Sequence, residues 1–273
     1  MGIKMKIKAI ALDLDGTLVG DDHHVSAKNK QAIRRAAEGG IHIILSSGRP
    51  YSSVRKIAEE IELPILGGSI VSYNGAYVRD MKMERVLAAA YLPQGMCEKL
   101  ERFMTDWKRA EILTYDNTSM LLTKQDHPFG SRIAEGLLLP IRQLPDFTQI
   151  YDTDICKFII AGESELLQQI YLELEKQFAP DINCIYGGGN FIEIMPPGVT
   201  KATGIDLVLK EYGITPEQLM CCGDSRNDLA MMQYAGYPVA MANASAEIRE
   251  QARYITASYD KDGVAEAILR MGF

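Results

Sequence analysis

The feature that most constrains the fold is a pattern that recurs along the chain. In each case a short apolar run ends in polar residues and is followed by a helix-like segment. Ile7 to Leu12, Ile41 to Leu45 and Leu219 to Cys222 are such runs, with the length and composition of buried strands. Strands that alternate with helices predict an α/β fold with a right-handed, doubly wound parallel sheet. Ligands of such sheets bind outside the carboxyl ends of the strands, so the polar residues there are the first site candidates.

Two carboxylates follow the first of these strands. Asp13 and Asp15 are separated by one residue and precede Gly16, which lets the backbone turn away sharply. If the strand period of two persists, both carboxylates leave on one face, where they repel unless a cation lies between them or one keeps its proton. Asp-Gly is also a common hairpin signal, so a solvated turn remains an alternative interpretation of these residues alone.

Other polar residues follow the second and third strands or begin a helix. Ser47 and Gly48 lie in a turn before a helix, which suits an anion site or an ordinary turn equally well. Lys201 falls in the first turn of a predicted helix, where a cation opposes the helix dipole by roughly 0.3–1 kcal/mol unless an anion lies near. Asp224 and Asp228 follow the third strand. Together the four carboxylates suit Mg²⁺, and the lysine and hydroxyl would complete a pocket for a phosphoryl group.

Length and charge limit the classes of function. A chain of 273 residues is long enough for roughly two domains, or for one domain with a large insertion. The net charge of -7 argues against nucleic acid or an anionic membrane as a partner, because such phosphates require a basic surface. The five cysteines lack the C-x-x-C spacing of a zinc or redox site. The sequence also contains no run of about 18 apolar residues, the length that a membrane-spanning helix needs. We therefore expect a cytoplasmic protein.

The middle of the chain has a different pattern. From residue 85 to residue 195, several strand-like pieces and two amphipathic helices, one of them Ser164 to Phe178, indicate a separate α+β layer. Pro196-Pro197-Gly198 then marks a return to the first domain. We therefore predict a discontinuous core of residues 1–84 and 196–273 with an inserted domain of residues 85–195.

Shorter segments give local predictions. Pro64 to Leu66 and Ile70 to Tyr73 have the composition of strands, and Asn74-Gly75 predicts a hairpin turn after them. Gly187-Gly188-Gly189 predicts another hairpin turn, since it lacks the G-x-G-x-x-G spacing of a nucleotide loop. Ser26 and Thr200 are the expected N-caps of two helices.

Four segments, taken in order, resemble the motifs of the haloacid dehalogenase superfamily of phosphotransferases and, within it, the Cof-type sugar-phosphatase-like branch. The segments are Asp13-Leu14-Asp15-Gly16-Thr17-Leu18, Ser47-Gly48-Arg49, Lys201 and Gly223-Asp224-Ser225-Arg226-Asn227-Asp228. The resemblance covers nearly the whole chain and implies a Rossmann-like catalytic core with an inserted α/β cap. Ser47 stands where threonine is common in the branch, and Ala202 stands where glycine is usual.

The resemblance also implies a mechanism. Asp13 would attack phosphorus and form an aspartyl-phosphate, while Asp15 would protonate the leaving alcohol and later deprotonate the attacking water. Asp13, the backbone carbonyl of Asp15, Asp224 and Asp228 would hold Mg²⁺, the last directly or through water. Dehalogenase members of the superfamily lack the second aspartate, so Asp15 favours phosphoryl chemistry.

Phosphate binding is implied for a second set of residues. Ser47, Gly48 and Lys201 would bind the phosphoryl oxygens, and Asn227 belongs with them as an orienting group. No residue of the implied cap identifies a substrate. Its polar candidates, each more often a solvated loop residue, are His127, Arg132, Asn183 and Asn190.

The leading hypothesis is a Mg²⁺-dependent phosphatase of small phosphorylated metabolites, with sugar phosphates as the expected substrates. A phosphomutase or phosphotransferase would use the same Asp13 intermediate, and transfer to sugar acceptors faster than to water would favour it. A regulator that binds a phosphometabolite without turnover is a further alternative, against which the intact Asp13 and Asp15 argue. We expect a monomer or homodimer whose cap closes to exclude water and select the leaving group.

Overall fold

The computed structural model describes residues 7–116, 118–123, 128–186 and 189–273, and it divides the chain into two compact units. The first comprises Met1–Ala88 and Thr200–Phe273, and the second is Ala89–Val199. The boundaries expected from the sequence, after residues 84 and 195, lie slightly earlier. The first differs because a strand beginning at Arg85 joins the sheet of the first unit. The second differs because the side chain of Asn183 donates a 2.8 Å hydrogen bond to the Val199 carbonyl within the second unit.

The described residues form fourteen strands and ten α-helices. The strands are β1 (Ala9–Leu12), β2 (His42–Ser46), β3 (Gly68–Ser72), β4 (Tyr77–Asp80), β5 (Arg85–Ala89), β6 (Glu111–Tyr115), β7 (Met120–Leu122), β8 (Ile141–Gln143), β9 (Phe158–Ala161), β10 (Asn183–Ile185), β11 (Phe191–Met195), β12 (Leu219–Gly223), β13 (Tyr237–Ala240) and β14 (Tyr254–Ile255). The helices are α1 (Ala27–Glu38), α2 (Tyr51–Glu60), α3 (Leu63–Leu66), α4 (Met96–Met104), α5 (Pro128–Gly136), α6 (Ser164–Phe178), α7 (Lys201–Glu211), α8 (Leu229–Tyr234), α9 (Ala246–Gln251) and α10 (Gly263–Arg270).

The first unit is built on an eight-stranded sheet with the strand order β14-β13-β12-β1-β2-β3-β4-β5. The strands from β14 to β3 are parallel, and β4 returns antiparallel beside β3. β1 lies between β12 and β2, with Ile10 paired to Met220 on one side and to Ile43 on the other. Every residue of β1 is buried, which accounts for its apolar composition. The predicted α/β fold with a doubly wound parallel sheet is confirmed.

Helices cover both faces of this sheet. On one face, Ala11 and Ile44 pack in an apolar cluster with residues of α7, α8 and α9. Ile43 and Leu45 point to the opposite face because side chains alternate along a strand, and there α1 and α2 pack against β2 and β3. The parallel strands thus form a buried central layer whose carboxyl ends share one edge.

The two predicted helix caps are present. The hydroxyl of Ser26 accepts a 3.1 Å hydrogen bond from the backbone N–H of Asn29 at the start of α1. The hydroxyl of Thr200 accepts one of 3.2 Å from the N–H of Thr203, and the hydroxyl of Thr203 accepts one of 3.0 Å from the N–H of Thr200. Each cap satisfies backbone groups that a helix start leaves unpaired, typically worth about 1 kcal/mol. The second cap also fixes the start of α7, where Lys201 is located.

The second unit is built on a six-stranded sheet with the order β10-β11-β9-β6-β7-β8, antiparallel throughout except between β7 and β8. α4 and α6 contribute Leu100 and Leu167 to its apolar core, which also contains Phe158. This unit contains a third helix, α5, and a strand, β8, that the sequence did not predict. Only two residues of α5 are buried and β8 is exposed throughout, so neither shows an apolar period.

Three local predictions require comment. Pro64 to Leu66 is not a strand but part of the short helix α3, in which Pro64 occupies the first turn, where a missing N–H costs nothing. Asn74-Gly75 does connect two antiparallel strands, and Asn74 has the left-handed φ of 53° that such a turn requires. His127 and two glycines of the predicted turn at 187–189 lie outside the described residues.

All five cysteines are free thiols. Cys221 and Cys222 are fully buried in β12, where they pack as small apolar groups. Within the described residues, no helix combines the length and the apolar character needed to cross a membrane.

His42, at the start of β2, gives a test of the core that is independent of function. Its ring lies 3.9 Å from that of Tyr212, and its Nε2 is 2.9 Å from the hydroxyl of Ser69. Burial lowers the pKa of His42 from 6.5 to about 4, against the opposing charge of Asp80. The unfolded chain therefore takes up a proton that the folded chain resists, so stability falls as the pH drops from about 6.5 towards 4.

When the pH falls from 7 to 5, the free energy of unfolding of the wild type should drop because His42 resists protonation in the folded state. In His42→Gln we expect this drop to be smaller by about 2 kcal/mol. Urea denaturation at the two pH values and constant ionic strength measures the difference. His24→Gln, at an exposed histidine, is the control and should behave like the wild type. An unchanged pH dependence in His42→Gln would contradict the assignment.

Candidate active site

Three carboxylates gather at the carboxyl edge of the parallel sheet. Asp13 follows β1, and Asp224 and Asp228 follow β12, which is the neighbour of β1 with Leu12 paired to Cys222. Each of the three offers a carboxylate oxygen within 4.8 Å of the others. Asp13 and Asp228 are buried, and Asp224 is half-buried. The parallel register therefore brings together residues that are more than two hundred positions apart in the sequence.

Lys201 supplies a cation inside this group. Its side chain is fully buried, and Nζ donates one 2.6 Å hydrogen bond to Oδ1 of Asp13 and another to Oδ1 of Asp228. The unfavourable position of a lysine at a helix start is thereby compensated, because two carboxylates face it. The anionic neighbour that the sequence required for Lys201 is present.

The electrostatics of the cluster follow from burial. Burial, and next the charge of Asp228, raise the pKa of Asp13 well above its usual range, while Lys201 opposes them. Burial alone would lower the pKa of Lys201, but Asp13 and Asp228 outweigh it and raise that pKa. Burial and the charge of Asp228 also raise the pKa of Asp224 to about 6. The cluster therefore resists holding all its carboxylates ionised without further positive charge.

Asp228 is engaged at both of its carboxylate oxygens. Oδ1 accepts from Lys201, and Oδ2 accepts from the backbone N–H groups of Asp224 and Ser225 at 3.0 and 3.1 Å. These bonds hold the loop after β12 in one conformation. Asp228 thus holds the loop in place. Because both of its carboxylate oxygens already accept hydrogen bonds, contact with a cation through a water molecule suits Asp228 better than direct ligation.

Asp13 and Asp224 have oxygens available to a cation. In the part of the chain that the structure describes, Lys201 is the donor to Asp13, at Oδ1, so Oδ2 remains available. Among the described residues, the contacts to the Asp224 carboxylate are two long ones, of 3.5 Å each, from the side chains of Thr17 and Asn243. With Asp228 and Lys201, the cluster carries a net charge of -2 when all groups are ionised. The donor set and its charge therefore fit a hard divalent cation such as Mg²⁺.

Gly16 is required by the closeness of two loops. Its φ is +75°, and a Cβ at this position would lie 2.6 Å from Oδ2 of Asp224. The Gly16 carbonyl also accepts a 2.8 Å hydrogen bond from the side chain of Asn243. The loop after β1 therefore lies directly against the Asp224 carboxylate.

Asp15 lies apart from the three clustered carboxylates. Its side chain is 56% exposed, whereas Arg49, its partner, is 3% exposed. Nε of Arg49 donates to Oδ2 of Asp15 at 2.9 Å and Nη2 donates to Oδ1 at 2.5 Å, a bidentate arrangement. The side chain of Asp15 is therefore not placed as a metal ligand, and the metal role expected of this residue rests on its backbone carbonyl.

The residues expected to bind phosphate occupy neighbouring turns. Ser47 is buried, and its hydroxyl accepts a 3.1 Å hydrogen bond from the N–H of Arg49, with Gly48 between them. Asn227 donates from Nδ2 to Oδ1 of Asn74 at 3.3 Å. The Asn74 N–H in turn donates to the Ser47 carbonyl at 3.0 Å. Asn227 thus joins the loop after β12 to the turn that follows β2.

Three residues near this site received no role from the sequence. They are Arg49, which lies in the segment Ser47-Gly48-Arg49, Asn74, which the sequence predicts only as part of a hairpin turn, and His23. Arg49 could have been recognised as a guanidinium directly after a polar strand end, which is a usual setting for carboxylate or phosphate recognition. Nothing in the sequence signals the Nη2 contact of Arg49 to His23.

Comparison with known proteins identifies the family of the chain. The chain matches the haloacid dehalogenase-like hydrolase family over residues 10–268. It is 29% identical over 263 residues to 5-amino-6-(5-phospho-D-ribitylamino)uracil phosphatase YcsE of Bacillus subtilis, covering 96% of this chain and 94% of that protein.

Solved structures show the same fold. A haloacid dehalogenase-like hydrolase from Bacteroides thetaiotaomicron is 33% identical, with a TM-score of 0.91 over 97% of this chain and 100% of the other. A sugar phosphatase of subclass IIB is 24% identical, with a TM-score of 0.84 over 97% of this chain and 99% of the other. The chain therefore belongs to the haloacid dehalogenase-like hydrolases and is an enzyme of the phosphatase type.

Proposed function

We propose that the protein is a Mg²⁺-dependent phosphatase that hydrolyses sugar-type phosphomonoesters through an aspartyl-phosphate at Asp13. The observation that carries the proposal is a buried Asp13 hydrogen-bonded to Lys201 beside two further carboxylates. The Bacillus subtilis relative is named for a phosphate ester on a ribityl chain, which supports a polyol or sugar phosphate as the substrate class.

The first chemical step is assigned to Asp13. A carboxylate oxygen of Asp13 attacks phosphorus, an acyl-phosphate bond forms, and the ester bond to the substrate alcohol breaks. Asp15 donates a proton to the departing alkoxide. Asp15 then takes a proton from water, which attacks the acyl-phosphate, releases inorganic phosphate and regenerates Asp13. The side chain of Asp15 is exposed enough to exchange protons with substrate and solvent.

Lys201 and Ser47 are assigned supporting roles. Lys201 favours the ionised, nucleophilic form of Asp13, and its ammonium group would counter the charge that develops on the phosphoryl oxygens. The hydroxyl of Ser47 and the turn at Gly48 would bind those oxygens from the neighbouring strand end. Asn227 would orient the same turn through Asn74.

The metal site is assigned to Asp13, Asp224 and the backbone carbonyl of Asp15, with Asp228 fixing the loop. Mg²⁺ bound there would neutralise charge between these carboxylates and a substrate phosphate. The residues present fit this role because two of the carboxylates have available oxygens and the cluster as a whole is anionic. We further propose that Ala89–Val199 is the cap domain that selects the leaving group.

A phosphate-release assay tests the proposal. Purified protein with Mg²⁺ should release inorganic phosphate from several members of a panel of sugar and polyol phosphates and from an aryl phosphate. Release should stop when EDTA removes the metal and return when Mg²⁺ is restored. No release from any member would reject the proposal. Transfer of the phosphoryl group to added sugar faster than to water would instead identify a phosphotransferase.

A further inference from the structure

The guanidinium of Arg49 is held on more than one side. Beyond its two bonds to Asp15, Nη1 donates to the hydroxyl of Ser53 at 3.3 Å, and Nη2 lies 2.9 Å from Nδ1 of His23. Nη2 has two hydrogens, so it can donate to Asp15 and to His23 at once. The orientation of the planar group that contacts Asp15 is therefore set in part by His23.

The contact defines the chemical form of His23. A guanidinium has only donors, so Nδ1 of His23 must be the acceptor and carries no proton. The imidazole is then neutral, with its proton on Nε2, because a protonated ring has no acceptor nitrogen. The identity of the hydrogen-bond donor thus assigns the tautomer.

The backbone also places His23 for this contact. His23 has a φ of 57°, in the left-handed region that few non-glycine residues adopt. Its N–H donates to the Gly20 carbonyl at 3.0 Å in a tight turn, and Val19 and Val25 bridge the ends of that turn. A residue keeps such an unfavourable backbone conformation only where the surrounding contacts hold it there. Here the contacts of the turn hold His23 so that its ring faces Arg49.

We propose that His23 is a positioning residue that holds Asp15 in its acid–base orientation through Arg49. The inference rests on the proposed function, because it concerns the proton transfers assigned to Asp15. An exposed aspartate side chain has several rotamers available. The buried Arg49 selects one of them by its bidentate contact, and His23 prevents the guanidinium from turning away. Loss of the His23 acceptor should therefore weaken proton transfer without disturbing Asp13.

Two substitutions separate the ring acceptor from the backbone effect. His23→Gly removes the acceptor but suits the left-handed φ. His23→Asn keeps an acceptor oxygen near the place of Nδ1, and asparagine also tolerates that φ. His24→Asn, at the exposed neighbour that contacts Glu60 rather than Arg49, is the control. A merely structural role of His23 predicts that His23→Gly and His23→Asn behave alike.

The kinetic readout is kcat/KM, which covers the steps up to departure of the leaving group. A sugar phosphate needs a proton donor for its poor leaving group, whereas 4-nitrophenyl phosphate scarcely does. We expect His23→Gly to lower kcat/KM about tenfold for the sugar phosphate and less than about threefold for the aryl ester, given the usual size of general-acid effects. His23→Asn should recover most of that loss.

The spectroscopic readout does not depend on turnover. A long-range ¹H–¹⁵N spectrum, with the His23 signals identified by their loss in His23→Asn, should show Nδ1 without a proton and Nε2 with one at neutral pH. A protonated Nδ1, equal losses on both substrates, or no loss in His23→Gly would each overturn the inference. A wild type that releases no phosphate would reject the proposed function, and the spectrum would still test the bond between His23 and Arg49.

Discussion

Asp13→Asn is expected to lower phosphate release by at least about 10⁴-fold, because an amide cannot act as the nucleophile that the proposed mechanism requires. The folded state should survive, since the substitution removes one of the mutually repelling buried carboxylates and keeps a similar shape. The measurement is the rate of phosphate release at saturating substrate and Mg²⁺. Acid quenching of the wild type during turnover should also trap phosphate on the peptide that contains Asp13.

The control for this variant is Asp21→Asn, which changes an exposed aspartate on the same segment of chain. It should release phosphate at the rate of the wild type. Turnover of Asp13→Asn at more than about one hundredth of the wild-type rate would remove Asp13 from the nucleophilic role. Phosphate trapped on a different peptide would do the same.

Lys201→Met is expected to destabilise the protein by about 3–5 kcal/mol, the usual cost of removing one partner from a buried ion pair. The substitution leaves Asp13 and Asp228 facing each other without the ammonium that bonds to both. Urea denaturation in EDTA measures the loss. Because the uncompensated carboxylates favour protonation, the loss should be larger at pH 8 than at pH 5.

A matched control lies on the same helix. Lys210 is exposed and pairs with Asp206 one turn away, so Lys210→Met should change stability by less than about 1 kcal/mol. Added Mg²⁺ should restore part of the stability of Lys201→Met if the carboxylates bind a cation. Equal effects of the two substitutions would show that the buried pair does not stabilise the fold.

The sequence was sufficient for the parts of the site that depend on strand ends and helix starts. Asp13 and Asp224 each follow a buried strand of a parallel sheet, so the fold class alone places them at one edge. Lys201 was recognisable because a lysine at a helix start requires an anion. The caps at Ser26 and Thr200 were predictable because capping depends on residues within one turn.

Other parts depend on tertiary arrangements that have no local signal. The bidentate contact between Arg49 and Asp15 depends on how the turn after β1 faces the turn after β2, and no residue within either turn indicates it. Helix α5 and strand β8 are largely exposed. Their sequences therefore show no regular spacing of apolar residues from which a helix or a strand could be predicted. The strand expected at Pro64 to Leu66 is part of the short helix α3, because so short an apolar run has no distinguishable period.

The central place of β1 has a consequence for biosynthesis. One edge of β1 pairs with β12, which the ribosome makes only after the whole of Ala89–Val199. Until then, a nascent chain holds a buried-type strand with an unpaired edge, which is a site for faulty association. The inserted unit can complete its own sheet first. The first unit therefore keeps this unpaired edge until the ribosome has made β12, so we expect transient exposure of β1 during synthesis.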